Sequence, residues 1–314
     1  MRALLVVNPK ATTTNERSRD VLLRALGGEV KLDVAYTVRR GHAAELAREA
    51  VLAGVDLLVT LGGDGTVNEA VNGLMTARED GRGGGRAGEL PALAVVPGGS
   101  TNVFARALGL PPTWPEATGA ILAALRQGRS RTIGLGRADE RYFTFCAGMG
   151  LDAAVIHRVE EARGRGRMST PGLYLRATVG QFFRDPEGRR PAIIVERPGE
   201  DGQGEFATVI IQNTAPWTFL GNRAINPNPD ASFDRGLDVL ALRALRVSST
   251  ARTVTQMLSR QPDPHGPHVV RLSDLDEFSL LSSHAQPFQV DGDYLGEREK
   301  VRFISVPAAL RVIC

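Results

Sequence analysis

Leu61-Gly62-Gly63-Asp64-Gly65-Thr66-Val67-Asn68-Glu69 stands between an apolar run, Asp56 to Leu61, and a helical pattern that continues to about Ala77. The run reads as a buried strand, and the stretch as the turn that carries the chain into a helix. Gly62, Gly63 and Gly65 permit positive φ and put no side chain between a ligand and the main chain. Their N–H groups, with the positive end of the following helix dipole, suit a polyphosphate. Asp64 adds a carboxylate to this anion-attracting loop, which fits a cation such as Mg²⁺ accompanying the phosphates. The plainer alternative for the same residues is a tight turn closed by a helix cap.

The flanking sequence repeats this layout. Ala3–Val7 reads as a strand, followed by Asn8-Pro9-Lys10 and a helix from about Asn15 to Leu26. Lys31–Thr37 is a second strand, and Gly41-His42 opens a helix to Ala53. Pro91–Val96 is a fourth, followed by Pro97-Gly98-Gly99-Ser100 and a helix over Thr101–Leu108. Near-continuous apolar strands alternating with helices predict a parallel sheet covered on both faces. The glycine turns and Asn8-Pro9 then lie together at the carboxyl ends of strands, where such sheets bind ligands. Arg78 to Gly88 reads as a mobile loop.

After about Arg131 the rhythm changes to short β-type runs: Thr132–Arg137, Arg141–Ala147, Ala192–Glu196, Phe206–Asn213 and Leu237–Arg243. Glu277–Leu281, Pro287–Val290, Val301–Ser305 and Leu310–Ile313 continue the series, with Asp-Gly hairpin signals at 201–202 and 291–292. Helical stretches are expected near Ala153–Ala162, Pro171–Phe183 and Ser249–Leu258. The expected fold is an α/β domain over residues 1–131 and a mostly antiparallel domain over 132–305, with a cleft between them.

Composition sets outer limits. The 314 residues are 42% hydrophobic and 23% charged, ordinary for a folded domain pair. A net charge of +3 is too small to argue for nucleic acid, and no nucleic-acid partner is expected. Lysine stands only at Lys10, Lys31 and Lys300, so arginine carries nearly all the positive charge. Cys146 and Cys314 are too few for a disulfide framework. No window approaches the roughly 18 apolar residues of a membrane span, and the protein is expected to be cytoplasmic.

The motifs resemble the catalytic domain of the diacylglycerol kinase, sphingosine kinase and bacterial lipid kinase superfamily along essentially the whole chain. Asn8-Pro9, Thr37 with Gly41-His42-Ala43, and Gly62–Glu69 fit its nucleotide motifs. Pro97-Gly98-Gly99-Ser100-Thr101-Asn102-Val103-Phe104-Ala105-Arg106 resembles its second glycine motif. Gly148-Met149-Gly150-Leu151-Asp152-Ala153 resembles the opening of its second domain, and Val290-Asp291-Gly292-Asp293 its Asp-Gly-Glu motif. The resemblance implies a Rossmann-like nucleotide domain and a β-sandwich substrate domain. A last strand, at about 306–314, would return to the first domain, and the active site would lie in the interdomain cleft.

It further implies ATP as donor, Mg²⁺ as cofactor and a membrane lipid as acceptor, most simply diacylglycerol, taken up at the inner membrane face in transient contact. Homodimerisation stays open. Asn8, Pro9, Thr37, Gly62, Gly63, Asp64, Gly65, Thr66, Asn68, Glu69 and Ser100 would surround the nucleotide, with Asp64 acting through the metal. Asp293 would be the general base, where relatives more often have Glu; a plain hairpin turn is the competing account of 291–293. Relatives also tend to have Asp where Val103, Gly134 and Arg235 stand here. Arg235 speaks against a structural metal and leaves Asp234 as its only fallback ligand.

An NAD kinase-like enzyme, or a silent lipid- or nucleotide-binding module, are the alternative functions. No Gly-Lys dipeptide occurs, which excludes a Walker loop. A dinucleotide fingerprint over 148–153 lacks its acidic partner. His157, His265, His268 and His284 are scattered, as expected of surface or capping residues. Arg158, Arg163, Arg165 and Arg167 suggest either a solvated loop or contact with lipid headgroups. Phe182, Phe183, Trp217 and Phe219 suggest core, with an acyl-chain cleft as the alternative.

Overall fold

The structure, a computed structural model, describes residues 1–12, 16–81, 90–164, 190–200 and 202–314. Several expectations fall outside them: the helix start at Asn15, most of the loop up to Gly88, and the helix Pro171–Phe183 with Phe182 and Phe183. The side chains of the basic run from Arg163 to Met168, and Asp201, lie outside as well. The chain divides into one unit of residues 1–133 with 308–314, and another of residues 134–307.

In the first unit, β1 (Arg2–Val7), β2 (Lys31–Tyr36), β3 (Leu57–Gly62) and β4 (Ala92–Pro97) are all parallel, in the order β4-β3-β1-β2. The end of the last strand adds to β4 in parallel, pairing Val312 with Leu93. Every residue of β3 and β4 is buried, as the unbroken apolar runs predict for strands covered on both faces. The order reverses at β1, between β2 and β3, and doubly wound sheets take their ligands at such a point.

α1 (Glu16–Gly27), α2 (His42–Leu52), α3 (Asp64–Glu79) and α4 (Val103–Ala107) follow the strands in turn. α4 is shorter than the expected Thr101–Leu108, because Asn102 is held at φ 50, ψ 52 and cannot be helical. A fifth helix, α5 (Trp114–Arg126), was hidden behind Pro111-Pro112. A proline in its first turn fits the φ that a helix start requires, and Ala117, Ile121 and Ala124 form its buried face.

The second unit is an antiparallel sheet closed over one core. β15 (Glu277–Val290) and β16 (Asp293–Val312) are its two longest strands; β16 runs on into the first unit. Along β15, residues 288–290 pair with β7 (Cys146–Gly150), while 279–282 pair with β8 (Ile193–Glu196). One arm continues from β7 through β10 (Thr208–Gln212) and β13 (Leu237–Leu242) to β14 (Val269–Leu275). The other arm holds β8 with β9 (Gln203–Phe206), and β5 (Arg131–Ala138) with β6 (Arg141–Phe143). Met149, Val209 and Val239 of the first arm meet Ile193, Val195 and Phe143 of the second around Phe278 and Phe303. That is the two-layered core expected of a sandwich.

The sequence reading split β15 and β16 into short pieces because exposed polar residues interrupt their apolar pattern. It also missed β14, whose residues are all half-buried or exposed, and the small hairpin β11 (Thr218–Leu220) and β12 (Arg223–Ile225). α6 (Leu151–Gly164) extends beyond the expected helix at both ends, while α7 (Val247–Met257) starts two residues before the expected helix and ends one residue short of it. Among the described residues no helix is long and apolar enough to cross a membrane.

α2 and α3 approach so closely that a Cβ on Gly73 would stand 2.2 Å from the Ala44 carbonyl oxygen. Alanine raises intrinsic helix propensity over glycine by about 1 kcal/mol. Overpacking against an unyielding backbone costs about 1–3 kcal/mol or more, so the clash wins. Gly73→Ala is therefore expected to lower the unfolding temperature, and a thermal melt showing stabilisation would refute this contact.

Candidate active site

Four segments leave the carboxyl ends of the parallel strands side by side: Thr37 after β2, Asn8 after β1, Gly62–Gly63 after β3, and Gly98–Gly99 after β4. The two glycine turns touch backbone to backbone. The Gly98 N–H donates to the Gly62 carbonyl at 2.8 Å. A Cβ on Gly98 would lie 2.9 Å from Gly62 N, and one on Gly99 would lie 2.7 Å from Gly63 Cα. Side chains are excluded by that contact. The expectation of positive φ is corrected: Gly63 has φ −89, Gly65 lies inside α3, and neither they nor Gly62 are among the left-handed residues. Asn102 takes that conformation instead. Its side chain closes the second turn by accepting from the Gly99 N–H at 2.8 Å and donating to the Gly99 carbonyl at 2.9 Å.

Asp64 opens α3, yet its carboxylate reaches to α4. One oxygen accepts the Val103 N–H at 3.0 Å and the other the Phe104 N–H at 3.1 Å. Arg106 lies near enough for its charge to interact with Asp64; burial lowers the guanidinium pKa, while the carboxylate works to raise it. Glu69 is turned the other way. Its two oxygens accept the Gly41 N–H at 2.8 Å and the Ala43 N–H at 3.2 Å, capping α2. α3 therefore caps both neighbouring helices with its own acids. Its own start, at Gly63, has no side-chain cap.

The remaining expected residues are distributed as follows. Asn8 donates from Nδ2 to Thr66 Oγ1 at 3.0 Å, joining the first loop to the first turn of α3. Pro9 follows Asn8 on the surface, and Ser100 is exposed on the second glycine turn. Thr37 is half-buried, with its N–H on the Val7 carbonyl. Asn68 is fully buried, its side-chain oxygen accepting from Asn72 Nδ2 at 3.1 Å, so it supports α3 from within. Asp234 is exposed. Among the described residues no three His, Cys, Asp or Glu side chains gather as a metal site, so neither Asp234 nor Asp64 stands in a ready protein-built one.

In the second unit, Asp291 and Gly292 form the two-residue turn from β15 to β16, with φ 48 and 81. Both positive values mark the type I′ hairpin that Asp-Gly favours. Asp291 is 4% exposed, and its carboxylate accepts from Thr144 N–H, Thr144 Oγ1, Phe145 N–H and Cys146 N–H at 2.7–3.1 Å. This acid is structural, and Asp293 emerges from the rigid turn as the first residue of β16.

Gln289 secures the other side of that turn. Its Oε1 accepts the Gly292 N–H at 2.9 Å, and its Nε2 donates to Asp152 Oδ2 at 2.7 Å. Asp152 keeps some exposed surface, but its carboxyl end points inward: a Cβ on Gly148 would stand 2.0 Å from Oδ2. Burial pushes its pKa up to about 6, against the lowering effect of the Gln289 hydrogen bond. His157 stacks on Tyr294 at a centroid distance of 4.1 Å, a second tie between α6 and the residues after the turn. Sequence reasoning missed Gln289 altogether, since its partners are remote in the chain and no local pattern marks it.

The family model of the diacylglycerol kinase catalytic domain matches residues 2–138. The chain is 29% identical over 261 residues to the diacylglycerol kinase of Bacillus subtilis (strain 168), taking in 83% of this chain and 78% of that one. It is 28% identical over 308 residues to the diacylglycerol kinase of Staphylococcus epidermidis, covering 94% and 87% respectively. Its fold is similar to the crystal structure of a diacylglycerol kinase from Bacillus anthracis str. Sterne, with a TM-score of 0.72 at 18% identity over 99% and 96% of the two chains.

Two predictions follow from the two acids. Asp64→Asn offers one oxygen where two amides need one each. It should cost about 1–2 kcal/mol and speed hydrogen exchange at the Val103 and Phe104 amides. Unchanged protection there would show that the carboxylate does not hold α4. For Asp152, a folded-state pKa raised above the ordinary 3.8 gives a stabilising contribution at acid pH that is lost as pH rises through about 6. Wild type should therefore lose stability relative to Asp152→Asn as pH rises from about 4 to about 6, and a pH-independent difference between the two denaturation midpoints would show that the carboxyl is solvated.

Proposed function

We propose that this chain, which belongs to the diacylglycerol kinase family of lipid kinases, transfers the γ-phosphate of ATP to the hydroxyl of a membrane lipid, with diacylglycerol as the substrate and phosphatidic acid as the product. The observation that carries this reading is the uncapped start of α3 among side-chain-free turns. Phosphoryl transfer needs positioning and charge neutralisation more than covalent chemistry from the protein. Main-chain amides at Gly62, Gly63, Asp64 and Gly65, with the α3 dipole behind them, supply both to the donor phosphates. Thr66, oriented by Asn8, adds a hydroxyl beside them, and Ser100 is exposed on the adjoining turn to add another. Thr37 borders the same row of loops.

Magnesium commonly accompanies ATP in such transfers and lessens the charge on the phosphates. The residues present do not fit a protein-held ion: both Asp64 oxygens accept amide hydrogens, and among the described residues no cluster of three His, Cys, Asp or Glu includes it. Asp64 is assigned to joining the two glycine turns. Glu69 likewise positions α2 and does not touch the nucleotide.

Asp293 is proposed as the general base that takes the proton from the lipid hydroxyl as its oxygen attacks phosphorus. The shorter arm of Asp relative to Glu places more demand on the backbone beneath it. The rigid Asp291-Gly292 turn, held by Thr144, Cys146 and Gln289, meets that demand. The lipid acceptor resides in a bilayer, so transient contact with a membrane surface belongs to the same reading.

The test is phosphate transfer from radiolabelled ATP in mixed micelles carrying a panel of lipids. Label should enter diacylglycerol, and Asp293→Asn should lower turnover by about 10²-fold or more while ATP binding, measured by calorimetry, stays near wild type. Label entering no lipid, or near-normal turnover in the variant, would refute the activity or the assigned base respectively.

A further inference from the structure

α7 is set into the second unit by one side only. Thr253 and Met257 turn inward, where Met257 joins Ile210, Leu240 and Leu245 in a small apolar cluster. On the solvent side Val247 is 57% exposed and Val254 45%. With Ala251 and Leu258 they recur at i, i+4, i+7 and i+11, a single stripe along the helix. The β11–β12 hairpin adjoins the far end of the helix: the Asn226 N–H donates to the Met257 carbonyl at 3.1 Å, and the Arg223 guanidinium bonds the Leu258 carbonyl. At the tip of that hairpin Leu220 is 45% exposed.

The charge along this segment is mostly positive, and the nearest acid beyond it, Asp263, is engaged by Arg271 and His265. Residues 239–262 contain Arg243, Arg246, Arg252 and Arg260 and no Asp or Glu, and the hairpin adds Arg223 with no acid of its own. In a chain of net charge +3 this is local segregation, not a reflection of overall charge. Arg246 stands at the N-cap of α7, where no side chain caps the helix and no acid occupies the first turn. A cation there works against the helix dipole, so the helix itself gains nothing from it. An anionic surface would reverse that balance.

We propose that the solvent face of α7 and the tip of the β11–β12 hairpin dock on an anionic lipid bilayer. Val247, Val254 and Leu220 enter the headgroup region, while Arg246, Arg252 and Arg260 pair with lipid phosphates at its edge. A stable protein interface needs a wider apolar surface than these three side chains present. A bilayer needs only shallow insertion combined with positive charge. The inference deepens the lipid-kinase reading and rests on it for the source of the substrate.

The full chain is floated with vesicles of phosphatidylcholine, and with vesicles in which phosphatidylglycerol is mixed in. Wild type should bind the mixed vesicles and only weakly the neutral ones. Each lost arginine is worth about fivefold in binding, so Arg246→Glu with Arg252→Glu should weaken it about 25-fold or more; Val247→Ser with Val254→Ser should weaken it several-fold. Phosphate transfer to a short-chain diacylglycerol dispersed as monomers should be unchanged in both double variants. Binding of the charge-reversed protein at the wild-type level, or no wild-type binding to either vesicle, overturns the docking surface. So does a concentration-dependent dimer abolished by the serine pair without vesicle binding, which would assign the face to a second copy. Wild-type flotation without phosphate transfer to any lipid leaves the surface standing and removes the kinase reading.

Discussion

The contact on which the candidate site depends is between two pieces of main chain. Gly62-Gly63 and Gly98-Gly99 pack with no side chain between them, at separations where a single Cβ would meet backbone atoms at 2.7–2.9 Å. Side-chain clashes can be relieved by a rotamer change, whereas these require a strand to shift. Both turns end strands that are buried along their whole length. The positions of the amides proposed to hold the donor phosphates are thus inherited from two fully buried strands. That is the preorganisation a largely electrostatic catalyst needs, because donors that must first move into place lose much of their value.

The acids near the turns are arranged with the same economy. Asp64 and Glu69 both lie on α3, and both direct their carboxylates to neighbouring helices, whose free amides they satisfy. The negative charge closest to the start of α3 is thereby partly compensated by amide hydrogens, with Arg106 nearby. The start of α3 carries no side-chain cap. A loop containing aspartate, which at first suggests a bound cation, can therefore still favour a polyphosphate.

How much of this was legible in the sequence depends on the range of each interaction. The parallel sheet was readable because the apolar runs of β3 and β4 report burial on both faces, and the Asp291-Gly292 turn because its geometry is local. The roles of Asp64 and Glu69 were not, since their partners lie 39 and 28 residues away and either acid looks equally suited to a ligand. The glycines were identified for a reason the structure corrects: absence of a side chain matters there, left-handed backbone does not. β15 and β16 were divided because long strands shared by two sheet arms alternate between buried and exposed surroundings. α5 was lost because Pro111-Pro112 reads as a break, while Pro115 just beyond it suits the first turn of a helix.

Asp291 and Asp293 show why adjacent acids in one motif need not share a role. Asp291 has four donors on its carboxylate, which fix its orientation. An acid so fully engaged is poorly suited to take a proton, but it determines where the next residues go. Gln289 reinforces the arrangement through Gly292, and it is itself anchored by Asp152. Burial raises the pKa of Asp152, and the Gln289 hydrogen bond opposes that rise. Positioning is therefore done by Asp291, Gln289 and Asp152, and the proposed reaction assigns the proton transfer to Asp293, the first residue of the strand they hold.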